Sequence, residues 1–545
     1  MTEFQKLADR IVRYYLETSP VYATAVGNHD HDHLLDRLDP DFRTQRVAKL
    51  RGFVNSLEKH ATHADRSPDE QVDLQVLEGA LRTEILLEDG YCRWKRDPSF
   101  PMELAMYGCY VLVLHEVAPL AQRAAALAHR LRQVPRLLSD AKRNLADQPK
   151  IPGIWAEMGE ELAKSGVEFF LDLGSSSALR SPRIGSDLIQ AGKLASAACH
   201  DYHRFLHESI VKRSSDGYSI GAKSFDELLL HQHGLSYKGV ELQKLGREVI
   251  AQTLSEMEKV AAQINPNSSL AEIIANLKEQ TPKSEQLIDY YKSFVLGARQ
   301  HLIDHNLVTV PESNDLTLVD TPIFARPTFP YAGYLPAAPL DTDQHGFFWV
   351  TPIDKMAPPE SQEQQKRGHN KYQALVVSLH EAYPGHHLQL QRANQISSNV
   401  RKLFGTSVFI EGWALYCEEM MYETGYYPDA QTRLIQLAMQ LWRACRVVID
   451  VGLHDGTMSF DDAVSLLVDT AKLERINAEA EVKRYAQSPT QPMSYIVGKM
   501  EILRLRDDYR KQQGAAYSLK EFHDRLLSYG SIPIGLVRGL MLEQK

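Results

Sequence analysis

Apolar residues recur at three- and four-residue spacing from residue 3 to about residue 300, for example over 120–138 and 239–264, and this spacing predicts a succession of amphipathic helices. Alternation of period two is rare there. Clusters of turn-forming residues interrupt the pattern at 20–41, at QPKIP (148–152), at GSSSALRSP (174–182), at 214–217 and at NPNSS (265–269), and they read as helix connections rather than linkers between independent domains. The pattern changes between residues 311 and 359. Nine of the 26 prolines lie in that stretch, which excludes helix. Within it FARPTFPYAGYLPAAP and GFFWVTP carry Phe, Tyr, Trp and Val in short extended runs and predict a small sheet or an edge strand. Such an edge offers backbone groups that can hold a peptide by strand addition, or it simply covers a core; Tyr334 within it is a candidate substrate contact. Helical periodicity returns at Asn370 and continues to the end. The expectation is a mainly α chain with an N-terminal helical lobe over 1–300, a C-terminal lobe over 301–545, and a small β element around the proline-rich segment.

The candidate chemistry sits at the start of that last helical stretch. In NKYQALVVSLHEAYPGHHLQLQ, Asn370 is a good N-cap, and the helix it opens is apolar up to His380 and Glu381. A carboxylate desolvated after Val376, Val377 and Leu379 would cost several kcal/mol without a partner, and a bound cation would compensate it. The HExxH zinc signature would place a second histidine at 384, but Pro384 stands there, followed by Gly385, His386 and His387. On a regular helix His380 and His386 would be about 9 Å apart along the axis. Pro384 and Gly385 relieve this by disrupting the backbone, which predicts a ligand helix with a two-residue bulge. His386 shares a helix face with Leu390 and Ala393, whereas His387 shares one with Gln391 and Asn394, so His386 is the favoured inward ligand and His387 the alternate.

Catalytic zinc usually has three protein ligands and one open position, and FIEGWALYCEEMMYETG supplies a third candidate in Glu411. Glu418, two turns further on, is a candidate acceptor that orients a histidine.

HEAYPGHHLQ, EGWALYCE, LWRACRVVIDVGLH (441–454) and QPMSYIVGKMEILRLR (491–506) together resemble the domain of unknown function 885 family, zinc peptidases of the gluzincin type. EGWALY is also similar to the third-ligand segment NEGFA of thermolysin-like aminopeptidases. The resemblance runs over nearly the whole chain, including the early GNHDHDHLLD, and is most specific over 370–506. It implies a two-lobed gluzincin-like fold, one Zn²⁺ per chain held by His380, His386 or His387, and Glu411, and Glu381 as general base. It further implies hydrolysis of short peptides by a metal-activated water. Related gluzincins place a phenol late in the chain as an oxyanion donor, which points to Tyr495; His454 and Arg506 are weaker candidates for oxyanion or substrate-carboxylate contacts. Two other readings stay open: a zinc amidohydrolase or isopeptidase acting on a non-standard amide, and a helical scaffold with a structural metal.

Composition narrows the classes. With 61 Lys and Arg against 70 Asp and Glu, the formal charge is −9 without long like-charge blocks, so no phosphate-neutralising stripe for nucleic acid is visible. Five scattered cysteines, never closer than seventeen residues, form no disulfide framework and no metal knuckle, and Cys417 and Cys445 fall on apolar helical stripes. No signal-peptide h-region or eighteen-residue apolar run appears, so a soluble cytoplasmic protein without a membrane partner is expected. The tract His29, His31 and His33 reads as a solvated turn, and Arg446–Asp450 and Asp450–His454 read as helix-surface ion pairs. Phosphate-loop, GxSxG and dinucleotide fingerprints are missing.

Overall fold

The computed structural model describes residues 1–62, 66–114, 118–176, 185–213, 217–283, 286–312, 315–322, 326, 329 and 331–542. The turns expected at 174–182 and 214–217 lie mostly outside these residues, as does most of FARPTFP. The described residues are mainly helical with one small sheet, and the chain groups into two compact units: Met1–Ile220 with Ala338–Asp343, and Gly221–Ala337 with Gln344–Lys545.

The division falls at residue 220, not near 300. The helix Gly239–Ile264 puts Met257, Val260 and Ala261 against Leu434, Ile435, Leu437 and Leu441, about 180 residues downstream in the second unit. Periodicity shows that this helix has an apolar stripe but carries no information about which partner covers it.

Among its described residues the elements of the first unit are all helices, joined by turns and loops. Its long helices Leu120–Ala146 and Gly153–Ser175 stop and restart at QPKIP as expected, and with Gly185–Phe205 they enclose a core that includes Leu131, Leu138, Phe170, Leu188 and Tyr202. The stretch Ala338–Asp343 is anchored there: Leu340 N donates to Val26 O at 3.0 Å, and His29 bridges Asp32 and Asp341, each at 3.0 Å. Those two carboxylates hold the His29 imidazole up at about 9. The histidine tract is therefore not only a solvated turn. His29 is a charged tie, which the sequence hid because Asp341 is remote.

In the second unit the proline-rich segment forms three strands, β1 (Leu316–Asp320), β2 (Ala332–Leu335) and β3 (Gly346–Val350). The order is β1-β3-β2, with β1 parallel and β2 antiparallel to β3, and Tyr334 opposite Phe348. Six helices build the candidate site: α1 (Lys371–Glu381), α2 (His386–Asn394), α3 (Ser407–Glu423), α4 (Ala430–Asp455), α5 (Arg475–Gln487) and α6 (Ser494–Gln513). The N-caps follow the sequence: Asn370 Oδ1 accepts from Gln373 N at 3.0 Å, and Asp429 Oδ1 accepts from Thr432 N at 2.8 Å. Among the described residues no helix is long and apolar enough to cross a membrane. All five cysteines are free, and Cys417 and Cys445 are fully buried core residues.

Candidate metal centre

The centre begins with the break that HEAYPGHH imposes. α1 ends at Glu381 and a separate helix begins at His386, so the backbone is interrupted rather than bulged. Pro384 offers no N–H to continue the helix, and Gly385 lies so close to the preceding turn that a Cβ there would sit 1.8 Å from His380 O. Gly385 N donates instead to Leu379 O at 3.0 Å. The C-terminal end of one helix thus abuts the N-terminal end of the next, and the His380 and His386 rings meet edge to face with centroids 4.7 Å apart.

α3 brings the third group. Trp413 Nε1 donates to Pro384 O at 2.9 Å, fastening α3 to the break. Gly412 lets α3 and α6 touch at the backbone, since a Cβ there would lie 2.5 Å from Gly498 Cα, and a Cβ on Gly498 would lie 1.9 Å from Val408 O. In EGW, then, the glutamate faces the histidines, the glycine permits the close approach, and the tryptophan latches the helix. Glu411 Oε2 lies 3.5 Å from His380 Nε2 and 3.4 Å from His386 Nε2, and the three atoms are within 4.8 Å of one another.

This donor set suits zinc. Two imidazole nitrogens and one carboxylate oxygen converge, and no fourth protein ligand joins them among the described residues. Glu411 Oε2 is buried and accepts no hydrogen bond, an orphan that a cation would satisfy. His380 Nδ1 meets Glu418 Oε1 at 2.9 Å, and Glu418 is completely buried. Donation from Nδ1 to that carboxylate turns the Nε2 lone pair toward the centre, the usual support for a metal-bound histidine. Burial pushes the His380 imidazole down, but Glu411, Glu418 and Glu381 outweigh it and hold it at about 9. Burial pushes Glu411 up, yet His386 and His380 hold it well below the usual carboxylate range. The two shifts arise from the same close approach of imidazoles and carboxylates, each stabilising the charged form of the other.

His387 faces elsewhere. Its Nδ1 pairs with Tyr334 OH at 3.0 Å and its Nε2 with Tyr383 OH at 3.2 Å, while burial lowers it to about 4. Tyr334 therefore positions His387, and no substrate contact for it follows from the geometry. Glu381 follows His380 at the end of α1 and is half-buried. Tyr495, from α6, stacks on His380 with centroids 6.3 Å apart and planes 17° apart.

Two sequence candidates are not brought to the centre. His454 is fully buried, donates from Nε2 to Tyr485 O at 3.0 Å and stacks on Phe225; burial lowers it to about 4. Arg506 is engaged by Glu423, at 2.6 and 3.0 Å, and by Tyr416 OH. Nor are Arg446, Asp450 and His454 on the surface: all three are buried, and of the two expected pairs Asp450–His454 is present at 3.8 Å, whereas among the described residues Arg446 does not pair with Asp450. Arg446 donates to Tyr485 OH and Glu481, and Asp450 accepts from Thr490 N and Met493 N. The reason is that α4 is covered on every side, which i,i+4 spacing alone does not reveal. Sequence reasoning missed the guanidinium cluster around Tyr495, formed by Arg443, Arg446 and Arg484. Its one linear signal was two arginines inside the apolar run LWRACRVVID.

Residues 20–541 match a family model described as "Bacterial protein of unknown function (DUF885)". No curated protein matches the chain. Among the solved structures that share the fold are two of similar length. One, described as "a putative lipoprotein of unknown function from Shewanella oneidensis", is 23% identical, has a TM-score of 0.83, and is matched over 99% of this chain and 100% of its own. The other, described as "the putative lipoprotein from Colwellia psychrerythraea", is 19% identical with a TM-score of 0.84, over 99% of both chains.

Proposed function

The chain belongs to the bacterial DUF885 family, and on that premise we propose that it is a zinc-dependent hydrolase cleaving amide bonds of short peptides, with the gluzincin ligand pattern interrupted by a Pro-Gly break. The observation that carries this reading is the convergence of His380 Nε2, His386 Nε2 and the hydrogen-bond-deprived Glu411 Oε2, with Glu418 behind His380.

His380, His386 and Glu411 would hold the ion. When bound, zinc supplies Lewis-acid polarisation of the scissile carbonyl and brings the pKa of a coordinated water to about 7. Glu381, next to the ligand His380 and half-buried, accepts the proton of the attacking water and returns it to the departing amine. Tyr495, whose ring runs nearly parallel to that of His380, donates its phenolic hydrogen to the carbonyl oxygen as that oxygen gains charge. Glu418 keeps the His380 tautomer fixed throughout. A purely structural metal is disfavoured because such sites normally have four protein ligands.

The test pairs metal content with turnover. Glu381→Gln is expected to retain one zinc per chain while kcat on a peptide library falls about 10²-fold or more. Full activity in this variant would remove Glu381 from the base role, and a wild-type chain that takes up zinc yet cleaves no amide would overturn the hydrolase reading. A cytoplasmic location remains part of the proposal; the two structural relatives are described as lipoproteins, and fractionating the native host into soluble and envelope fractions decides between these addresses.

A further inference from the structure

Three guanidinium groups gather one aromatic ring away from His380. Arg446 Cζ lies 4.8 Å and Arg443 Cζ 6.0 Å from the centroid of Tyr495, the ring that stacks on His380. Arg484 from α5 lies over the neighbouring Tyr485 at 4.9 Å. Among the described residues a single carboxylate pairs with any of them: Glu481, which takes Arg446 at 3.3 Å and Arg484 at 2.9 Å. Three cations against one anion leave the cluster under-neutralised.

Arg443 is the group that is not accounted for. It is 8% exposed, and among the described residues it forms no ion pair and donates only to Met439 O, one turn back on its own helix, at 3.1 Å. Its Nε is buried without a hydrogen-bond partner, as is Nε1 of the adjacent Trp442. A buried guanidinium without an anion is costly, and ring contacts with Trp442 at 5.4 Å and Tyr495 recover only part of that cost. The donor fork of an arginine matches a carboxylate in a bidentate manner.

We infer that Arg443, supported by Arg446, holds a carboxylate of the substrate beside the metal centre, so that the preferred substrates are peptides carrying a carboxylate close to the scissile bond. This deepens the proposed function and rests on it for the position of the scissile bond. The role of substrate-carboxylate contact passes from Arg506, which Glu423 occupies, to Arg443. The carboxylate belongs either to the peptide's C-terminus or to an acidic side chain, and the test separates the two.

The experiment measures binding, so it does not depend on turnover. Zinc-loaded Glu381→Gln protein is titrated calorimetrically with a short peptide bearing a free C-terminus, the same peptide amidated, and an amidated peptide ending in Glu. The free acid is expected to bind at least about tenfold tighter than the plain amide. Equal tightness of the Glu-amide identifies a side-chain carboxylate as sufficient; weak binding of the Glu-amide identifies the C-terminus. Adding Arg443→Gln is expected to bring all three peptides to the affinity of the plain amide with zinc content unchanged. Should that variant fail to fold, Arg443→Lys, which keeps the charge but loses the bidentate fork, is expected to reduce the preference several-fold, and an undiminished preference in it would equally overturn the inference. Equal affinity for all three peptides before the arginine is changed, or a preference that survives Arg443→Gln, would overturn the inference. If wild-type protein cleaves nothing yet shows the carboxylate preference, the proposed function fails and this site stands.

Discussion

At the scale of single residues, Glu418 has a role distinct from the ligands. It touches no third ligand, yet its Oε1 fixes His380 through Nδ1 at 2.9 Å from a fully buried position. Glu418→Gln keeps the shape and removes the charge. The expected outcome is a zinc affinity weakened about 10- to 100-fold with all three ligands still present, measured by competition with a chromophoric chelator. Unchanged affinity would mean that His380 needs no support from Glu418. His386 and His387 show how far sequence reaches at this scale. The structure puts His386 rather than His387 beside His380 and Glu411, but an apolar helix face is not a sufficient reason for favouring His386, because His387 is the more deeply buried of the two. What separates them is that Tyr334 and Tyr383 occupy both nitrogens of His387, and Tyr334 arrives from a strand fifty residues upstream.

At the scale of elements, the centre depends on how closely α3 and α6 approach. Gly412 and Gly498 allow backbone contact, and this places Glu411 on one helix near Tyr495 on the other. Gly412→Ala is expected to destabilise the protein by about 1–3 kcal/mol, because the added methyl meets backbone that cannot yield cheaply. It should also weaken zinc retention. Urea denaturation of the metal-free and metal-loaded forms measures both, and wild-type stability in the variant would contradict the packing account. The helices, the Asn370 cap and most of the breaks were legible from periodicity and turn residues, and the proline-rich segment was legible as extended chain. The strand order β1-β3-β2 was not, since pairing is set by non-local contacts. The guanidinium cluster was illegible for the same reason: it exists only where α4, α5 and α6 meet.

At the scale of the molecule, the second unit contains several imidazoles that are neutral because they are buried. Burial lowers His233 to about 3 and His369, His454 and His523 to about 4, against an ordinary value of 6.5. Each has a hydrogen-bond partner, such as Thr406 and Thr490 for His233. A histidine whose folded-state pKa is depressed gives stability that is present above the unfolded value. That stability is lost as pH falls through 6.5 toward 4, where the unfolded chain binds more protons. Each such group contributes a slope of up to about 1.4 kcal/mol per pH unit in that window. Urea midpoints are therefore expected to fall steeply between pH 6.5 and 4.5 and to vary little between pH 7 and 8 from this cause; a midpoint that is flat down to pH 5 would contradict the burial of these groups.

The central claim is that one divalent ion joins two helix ends and a glutamate. The direct measurement is anomalous diffraction at the zinc edge from crystals of the purified chain. The account predicts a single peak about 2.0–2.2 Å from His380 Nε2, His386 Nε2 and a Glu411 oxygen, with His387 still held between Tyr334 and Tyr383. A structure in zinc-containing solution with no peak between those three side chains, or with the peak on His387 instead, would contradict it.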